Sequence, residues 1–230
     1  MKHTILLLVA FLLLFSPCFA AEDSGIRFSE LHGEVTVRPD DNEDVWDMAE
    51  LSTKLNVSDH VKTAEDSGAI LNMLDMTTLV IKPESEIVVT VPSGQDSKIT
   101  LVAGNIWVNV KKMVTHGTME VEMSQAVAGI KGTNITCSTG RDEDRIQVLR
   151  GIAEVLIRET REKVTVAEGE ELIVKTGGKT EKVEIDVTTE QKKWEEQTSR
   201  MGESIQMNEV PDVLKGIVDT ESAEFSRINE

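Results

Sequence analysis

The side chains able to do chemistry are few and scattered. After residue 20 the histidines are His32, His60 and His116, and none falls in the HExxH or HxH spacing that gathers a metal. No GxSxG elbow, phosphate-cradling GxxxxGK[ST] loop or helix-opening GxGxxG occurs. Carboxylates cluster at Asp40-Asp41-x-Glu43-Asp44. Hard cations take several oxygen ligands, but this run lacks the central glycine and distal glutamate of an EF-hand, so a solvated acidic loop and a calcium loop both fit it. Asp142-Glu143-Asp144 reads as a hairpin tip. Gly129-Ile130-Lys131-Gly132-Thr133 sets two glycines around a cation. Lys131 there would meet a carboxylate or a glycan, or the glycines simply permit a tight bend. Trp46 and Trp107 have the ring faces that stack on sugars, and the same rings serve as packed core aromatics. Trp107 lies between Ile106 and Val108, on the opposite face of its strand. With no cofactor motif, the expectation is a binding module rather than an enzyme, the alternative being a secreted enzyme acting on an envelope polymer.

The N-terminus says where such a module works. Lys2 precedes an apolar run from Ile5 to Phe15, Pro17 breaks it, and Cys18-Phe19-Ala20 ends in small residues. That is the three-part pattern of a secretory signal over residues 1–20, and the run is too short for the ~20 residues of a membrane span. No later stretch is long enough either, so a periplasmic or secreted protein without a stable membrane span is expected. Cleavage would remove Cys18 and leave Cys137 as the lone cysteine, which excludes an internal disulfide and reads as a buried thiol. The formal net charge is −17. A surface this acidic repels nucleic acid phosphates and favours neutral or cationic partners.

The elements that must position these groups are strands. From Gly33 to about Asp186 the chain is built of short β-branched runs such as Val35-x-Val37, Ile70-Leu71, Leu79-Val80-Ile81 and Ile87-Val88-Val89, bounded by Gly, Pro, Asp or Ser. Residues 21–32 read as a short polar lead. An apolar-x-apolar-x-x-Gly pattern ends at Gly104, Gly151 and Gly169, and Gly33 opens a similar second half. Each unit reads as strand, glycine-supported turn, strand. The irregular spacing argues against a strict solenoid. The fold class is therefore all-β: stacked hairpins forming a jelly-roll or β-sandwich-like domain, or a short β-roll, over 21–186. A C-terminal helical segment and tail follow over 187–230. Thr188-Thr-Glu-Gln191 reads as a capping box, opening a helix from about Thr189 to Met207 with Trp194, Thr198, Met201 and Ile205 on one seam. Val210, Val213, Leu214, Ile217 and Val218 form a weaker stripe behind Pro211.

Several motifs in this order resemble the FecR domain over roughly residues 33–175. They are Gly33-Glu-Val-Thr-Val37, Val45-Trp46, Asp59-His-Val-Lys-Thr63, Asp66-Ser-Gly-Ala-Ile-Leu71, Leu79-Val-Ile-Lys-Pro-Glu-Ser85, Gly129-Ile-Lys-Gly132-Thr133-Asn-Ile135 and the pair from Val148 to Val155. Two positions depart from the family pattern: Ser58 stands where a glycine is usual, and Asp75-Met-Thr77 replaces Asp-Gly-Ser. The resemblance implies a regulator whose exported half senses a receptor while a cytoplasmic segment controls a sigma factor. With no cytoplasmic segment expected, the resemblance implies only the sensing half of that role. The expected partner is an envelope protein or polysaccharide, in signalling or envelope assembly.

The leader makes a direct prediction. The exported protein should begin at Ala21 by intact-mass measurement. A mass that retains residues 1–20, or carries lipid on Cys18, would show the pattern misread.

Overall fold

The computed structural model describes residues 23–40, 45–73, 77–90, 97–110 and 119–200. It forms an open two-layer β-sandwich with a helix on one outer face. Sheet A runs in the order β4 (Lys54–Asn56), β1 (Asp23–His32), β6 (Gly68–Asn72), β7 (Thr77–Ile81), the second half of β9 (Ser97–Val110), β12 (Asn134–Thr139), β13 (Glu143–Arg150), β16 (Glu170–Lys175) and β17 (Thr180–Glu184). Sheet B runs β3 (Asp47–Met48), β2 (Val35–Arg38), β5 (His60–Thr63), β8 (Glu86–Thr90), the first half of β9, β10 (Met119–Glu122), β11 (Ala126–Ile130), β14 (Ile152–Ile157) and β15 (Lys163–Ala167). All pairings are antiparallel except β9 with β10. Most bent strands pair with the same neighbour in both sheets, but β3–β4 flanks the first bent strand on its other side and β10 enters sheet B alone, so the layers are largely a meander rather than a Greek-key jelly roll.

All but one of the described crossings between the sheets are made at a residue with positive φ; the passage from β3 to β4 has none, and the return from β4 to β5 is made at Ser58 (73°). Chain passes from sheet A to sheet B at Gly33 (67°), Glu84 (53°) and Gly151 (88°), and back at Asp66 (52°), Gly104 (87°), Gly132 (64°) and Gly169 (81°). The glycines that end the repeated pattern are therefore corners, not hairpin turns. They bend a strand across the sandwich without reversing it, and Gly104 lies inside the continuous β9. At three corners a hydroxyl follows the bend. Ser67 Oγ donates to Glu65 O (3.0 Å) and accepts from Glu34 N (2.9 Å). Ser85 Oγ has Pro83 O and Asn105 O as acceptors, both at 3.1 Å, and accepts from Asn105 N (2.9 Å). Thr133 Oγ1 has Lys131 O and Ile152 O as acceptors, both at 3.1 Å. Each hydroxyl faces a glycine on the neighbouring bent strand: Gly33, Gly104 and Gly151 respectively.

The inner faces of both sheets meet in one core. Sheet A contributes Phe28, Leu71, Leu79, Ile106, Val108, Ile135, Ile146 and Leu172, and sheet B contributes Val37, Val61, Ile87, Ile99, Leu101, Val121, Ile130 and Val155. Cys137 is buried in the same core. Burial pushes its thiol well above the ordinary range, with Asp144 adding to the effect. Asp144 belongs to this packed region and not to a solvated tip. It is buried at the start of β13, where it accepts from Ala126 N (2.9 Å), from Gln125 N and from the Thr139 hydroxyl.

Residues 23–32 are not a polar lead. They form β1, which buries Ile26 and Phe28 and pairs with β6 and β4. Helix α1 (Val187–Arg200) opens two residues before the expected start at Thr189. Asp186 is the capping residue: Oδ1 accepts from Thr188 N (3.1 Å) and Thr189 N (3.4 Å), and Oδ2 accepts from Thr189 Oγ1 (2.7 Å). Ile185 N donates to Gly169 O (2.8 Å), which anchors the chain to the sheet just before the cap and fixes where the helix can begin. Residues beyond Arg200, including Met201, Ile205 and the stripe behind Pro211, lie outside the described residues.

The corners separate two roles of glycine. A Cβ at Gly104 would sit 2.6 Å from Ser85 Cα and 2.7 Å from Glu84 O, whereas a Cβ at Gly177 (φ 83°) meets nothing within 4 Å. Gly177→Ala should cost about 1–2 kcal/mol, the strain of the left-handed backbone alone. Gly104→Ala should cost about 2–5 kcal/mol, because backbone must also move. Urea denaturation of the two variants reads the difference, and equal losses would mean that the close approach is not what demands glycine at the corner.

Candidate functional site

Among the described residues no element covers the outer face of sheet B, and at its β2–β3–β5 edge the side chains converge. Val35, Val37 and Val61 point into the core, so strand alternation turns Thr36, Arg38, His60 and Lys62 outward. The register of β2 with β3 pairs Thr36 with Met48 and Val37 with Asp47, which places Trp46 beside Arg38. The Arg38 guanidinium carbon lies 5.3 Å and Lys62 Nζ 5.7 Å from the centre of the Trp46 ring. Both are within cation–π range. His60 meets the same ring edge-on at 6.3 Å and is held by Glu86 Oε1, 2.8 Å from its Nδ1. Glu34, Thr36, Trp46, Lys62 and Ala64 line a hollow of about 220 Å³.

The segment that carries Trp46 exposes three large apolar side chains. Val45 is 43%, Met48 61% and Leu51 58% exposed, and all three fall in one short segment. β3 bonds to β2 on one side and has no described strand on the other. The opposite edge of the molecule is treated differently. β17 is also an edge, but Glu181 and Lys182 form ion pairs there with Lys175 and Glu170, at 3.2 and 2.7 Å. Charged edges discourage strand addition, while a short edge beside exposed apolar residues invites contact. The chemistry available is recognition: an aromatic ring, two cations and aliphatic side chains, with His60 committed to Glu86.

The residues singled out by sequence do not gather in one place. Gly129 lies in β11 opposite Glu154 of β14, and Lys131 is exposed at the bend that follows. Gly132 and Thr133 are the corner and its hydroxyl. Among the described residues no group of three His, Cys, Asp or Glu side chains is placed to hold a metal. Asp40 closes a described stretch, while Asp41, Glu43 and Asp44 lie outside the described residues, as does His116. Trp107 is 1% and Trp194 4% exposed, packed on each other with ring centres 6.1 Å apart. They join Ile70, Val80 and Leu149 in a second apolar cluster between α1 and the outer face of sheet A. Lys82 Nζ lies 4.1 Å over the Trp194 ring. Sequence reading missed Arg38, Lys62, Met48 and Leu51. The first two were available as the outward partners of Val37 and Val61, two-residue alternation being the signal.

Residues 59–154 match the family model of the FecR protein. The match runs from Asp59, just before β5, into β14, and includes the corners at Asp66, Glu84, Gly104, Gly132 and Gly151. Ser58, where the family pattern has glycine, has φ 73°, so the backbone keeps the conformation that glycine would adopt freely. Two crystal structures of a candidate anti-sigma factor from Parabacteroides distasonis share the fold at TM-score 0.52, with 16% and 15% identity, covering 59% of this chain and 64% of that one. This chain thus spans under two thirds of that protein. No curated protein matches the sequence.

The Trp194 contact yields a stability test. Trp194→Ala removes the centre of the second cluster and uncovers Trp107, so it should lower unfolding free energy by about 2–4 kcal/mol. Guanidinium melts followed by circular dichroism measure it. Unchanged stability would mean that α1 adds nothing to the fold.

Proposed function

We propose that this chain is a non-enzymatic, extracytoplasmic sensing module that recognises a protein of the cell envelope through the edge of sheet B at Trp46. The observation that carries the reading is the exposure of Val45, Met48 and Leu51 in the segment that carries Trp46, whose ring meets Arg38 and Lys62 on a sheet face that no described element covers. Aliphatic side chains exposed to this extent match protein surface better than sugar, which favours a protein over a polysaccharide at this edge. The two cations suit a partner with acidic groups next to its apolar ones. The match to the FecR model supports a regulatory role, and so does the description of the fold's solved neighbour as a candidate anti-sigma factor. The leader pattern supports work outside the cytoplasm. An enzyme acting on an envelope polymer is the competing reading, and the commitment of His60 to Glu86 weighs against it at this edge.

A photo-crosslinking amino acid placed at position 48, compared with one at exposed Val183 on β17, tests this in living cells. Position 48 should trap a discrete envelope protein and position 183 should not. Equal labelling at both positions, or none at 48, would defeat the proposal. Met48→Asp should abolish the adduct formed from a probe at Leu51 without changing the melting temperature.

A further inference from the structure

Helix α1 covers only part of the outer face of sheet A. Beyond Trp194 a cleft of about 240 Å³ opens between helix and sheet. Its floor includes one cross-strand rung. Lys82 N donates to Asn105 O (3.1 Å), Asn105 pairs with Ser138, and Ser138 pairs with Arg145. Strands lie about 4.8 Å apart, so this rung sets four polar side chains in a row roughly 15 Å long.

The neighbouring rung is internally satisfied. Thr136 Oγ1 donates to Gln147 Oε1 (2.8 Å), and Gln147 Nε2 donates to Glu171 Oε1 (3.3 Å). The Lys82 rung is not. Asn105 bonds through its backbone, and neither its side-chain amide nor the Ser138 hydroxyl has a protein partner among the described residues. Lys82 has no carboxylate within ion-pair distance there. Its ammonium is half-buried against the Trp194 ring. Burial draws it below the usual lysine range, and Glu190 opposes this only through space. Arg145 holds Glu143 at 2.6 Å and lies 3.6 Å from Glu171, which leaves its five-donor fork incompletely used. Glu190 across the cleft is paired with Lys193 at 2.6 Å, so no described carboxylate contacts the half-buried Lys82 ammonium, and a bound anion relieves the cost of its burial.

We propose that this cleft binds one carboxylate-bearing sugar unit, a uronate residue of an acidic polysaccharide, with the carboxylate on Lys82 and the ring hydroxyls along Asn105, Ser138 and Arg145. The amide, hydroxyl and guanidinium form a row of donors and acceptors of the kind a polyhydroxylated ring satisfies, and the lysine supplies the one charge a uronate needs. At about 240 Å³ the cleft falls below the roughly 300–1,000 Å³ of drug-sized sites, so it suits a single ring. A compact phosphate would engage the cations and leave the middle of the rung empty. The site lies on the other sheet from the Trp46 edge, so each reading can fail without the other.

Titration of the full mature chain with D-glucuronate, followed by calorimetry and by indole emission from Trp194 and Trp107, tests the assignment. Saturable binding is expected, with D-glucose weaker by about tenfold or more. Lys82→Met should remove the preference for the acid sugar. Ser138→Ala does not touch the helix, and it should weaken binding severalfold at an unchanged melting temperature. Absence of saturable glucuronate binding would overturn the proposal, as would equal affinity for glucose, or full affinity in both variants. Inorganic phosphate displacing glucuronate at equal concentration would reduce the cleft to a general anion contact and overturn the sugar assignment. Crosslinking from position 48 should be unaffected by Lys82→Met.

Discussion

Everything in this molecule depends on the strands bending at the same level. Two layers can share one core only if each strand leaves one sheet and enters the other where its neighbours do. A left-handed backbone residue makes that bend, and a hydroxyl from the adjoining corner ties Ser67, Ser85 and Thr133 to the strand across from it. Each such bond contributes only about 1 kcal/mol net. Its larger effect is on register. A slip of one residue would turn every inner side chain outward, and the stapled corner holds the chain against that slip.

The two sheets differ because only one of them is covered twice. Sheet B shows strict alternation of buried and half-buried residues, as in β2, β8 and β10. Sheet A shows unbroken burial through β6, the second half of β9 and much of β16, because α1 and its connection pack on its outer side. Trp107, outward on β9, is therefore a core residue of the second layer, and Lys82 is drawn over the indole of Trp194 as the cluster closes. Sheet B, whose outer face no described element covers, keeps its outer residues available, and the segment that carries Trp46 exposes large apolar side chains.

That difference was already written in the sequence. The runs Ala69-Ile-Leu71, Leu79-Val-Ile81, Ile106-Trp-Val108 and Leu172-Ile-Val174 are apolar without a break, as doubly covered strands are. Val35-x-Val37, Ile99-x-Leu101 and Ala153-x-Val155-x-Ile157 alternate, as singly covered strands do. The all-β class and the trailing helix were legible from such patterns, and the likeness to the FecR domain from its motifs. The role of the glycines was not, because positive φ serves a hairpin turn and a corner equally well and only long-range pairing distinguishes them. β1 was obscured by its charged alternate positions, although Ile26 and Phe28 keep the two-residue period. The cap at Asp186 was masked by a competing Thr188-x-x-Gln191 pattern. The site residues were least legible. Arg38, Lys62 and Trp46, like Lys82 and Ser138, come together only through register between strands distant in sequence, which no local motif records.

The meander also governs how the chain can reach this state. Among the described residues no strand pairs across more than a few dozen residues, the widest register joining Arg27 with Asn72. Loop closure is therefore modest at each step, and contact order stays low for a protein made almost wholly of sheet. From β5 onward most bent strands can be laid on one already in place, so assembly can proceed in a vector from the first corner toward the helix. A chain delivered end-first would present its strands in the order in which they are used, and α1 would arrive last, over a sheet already formed.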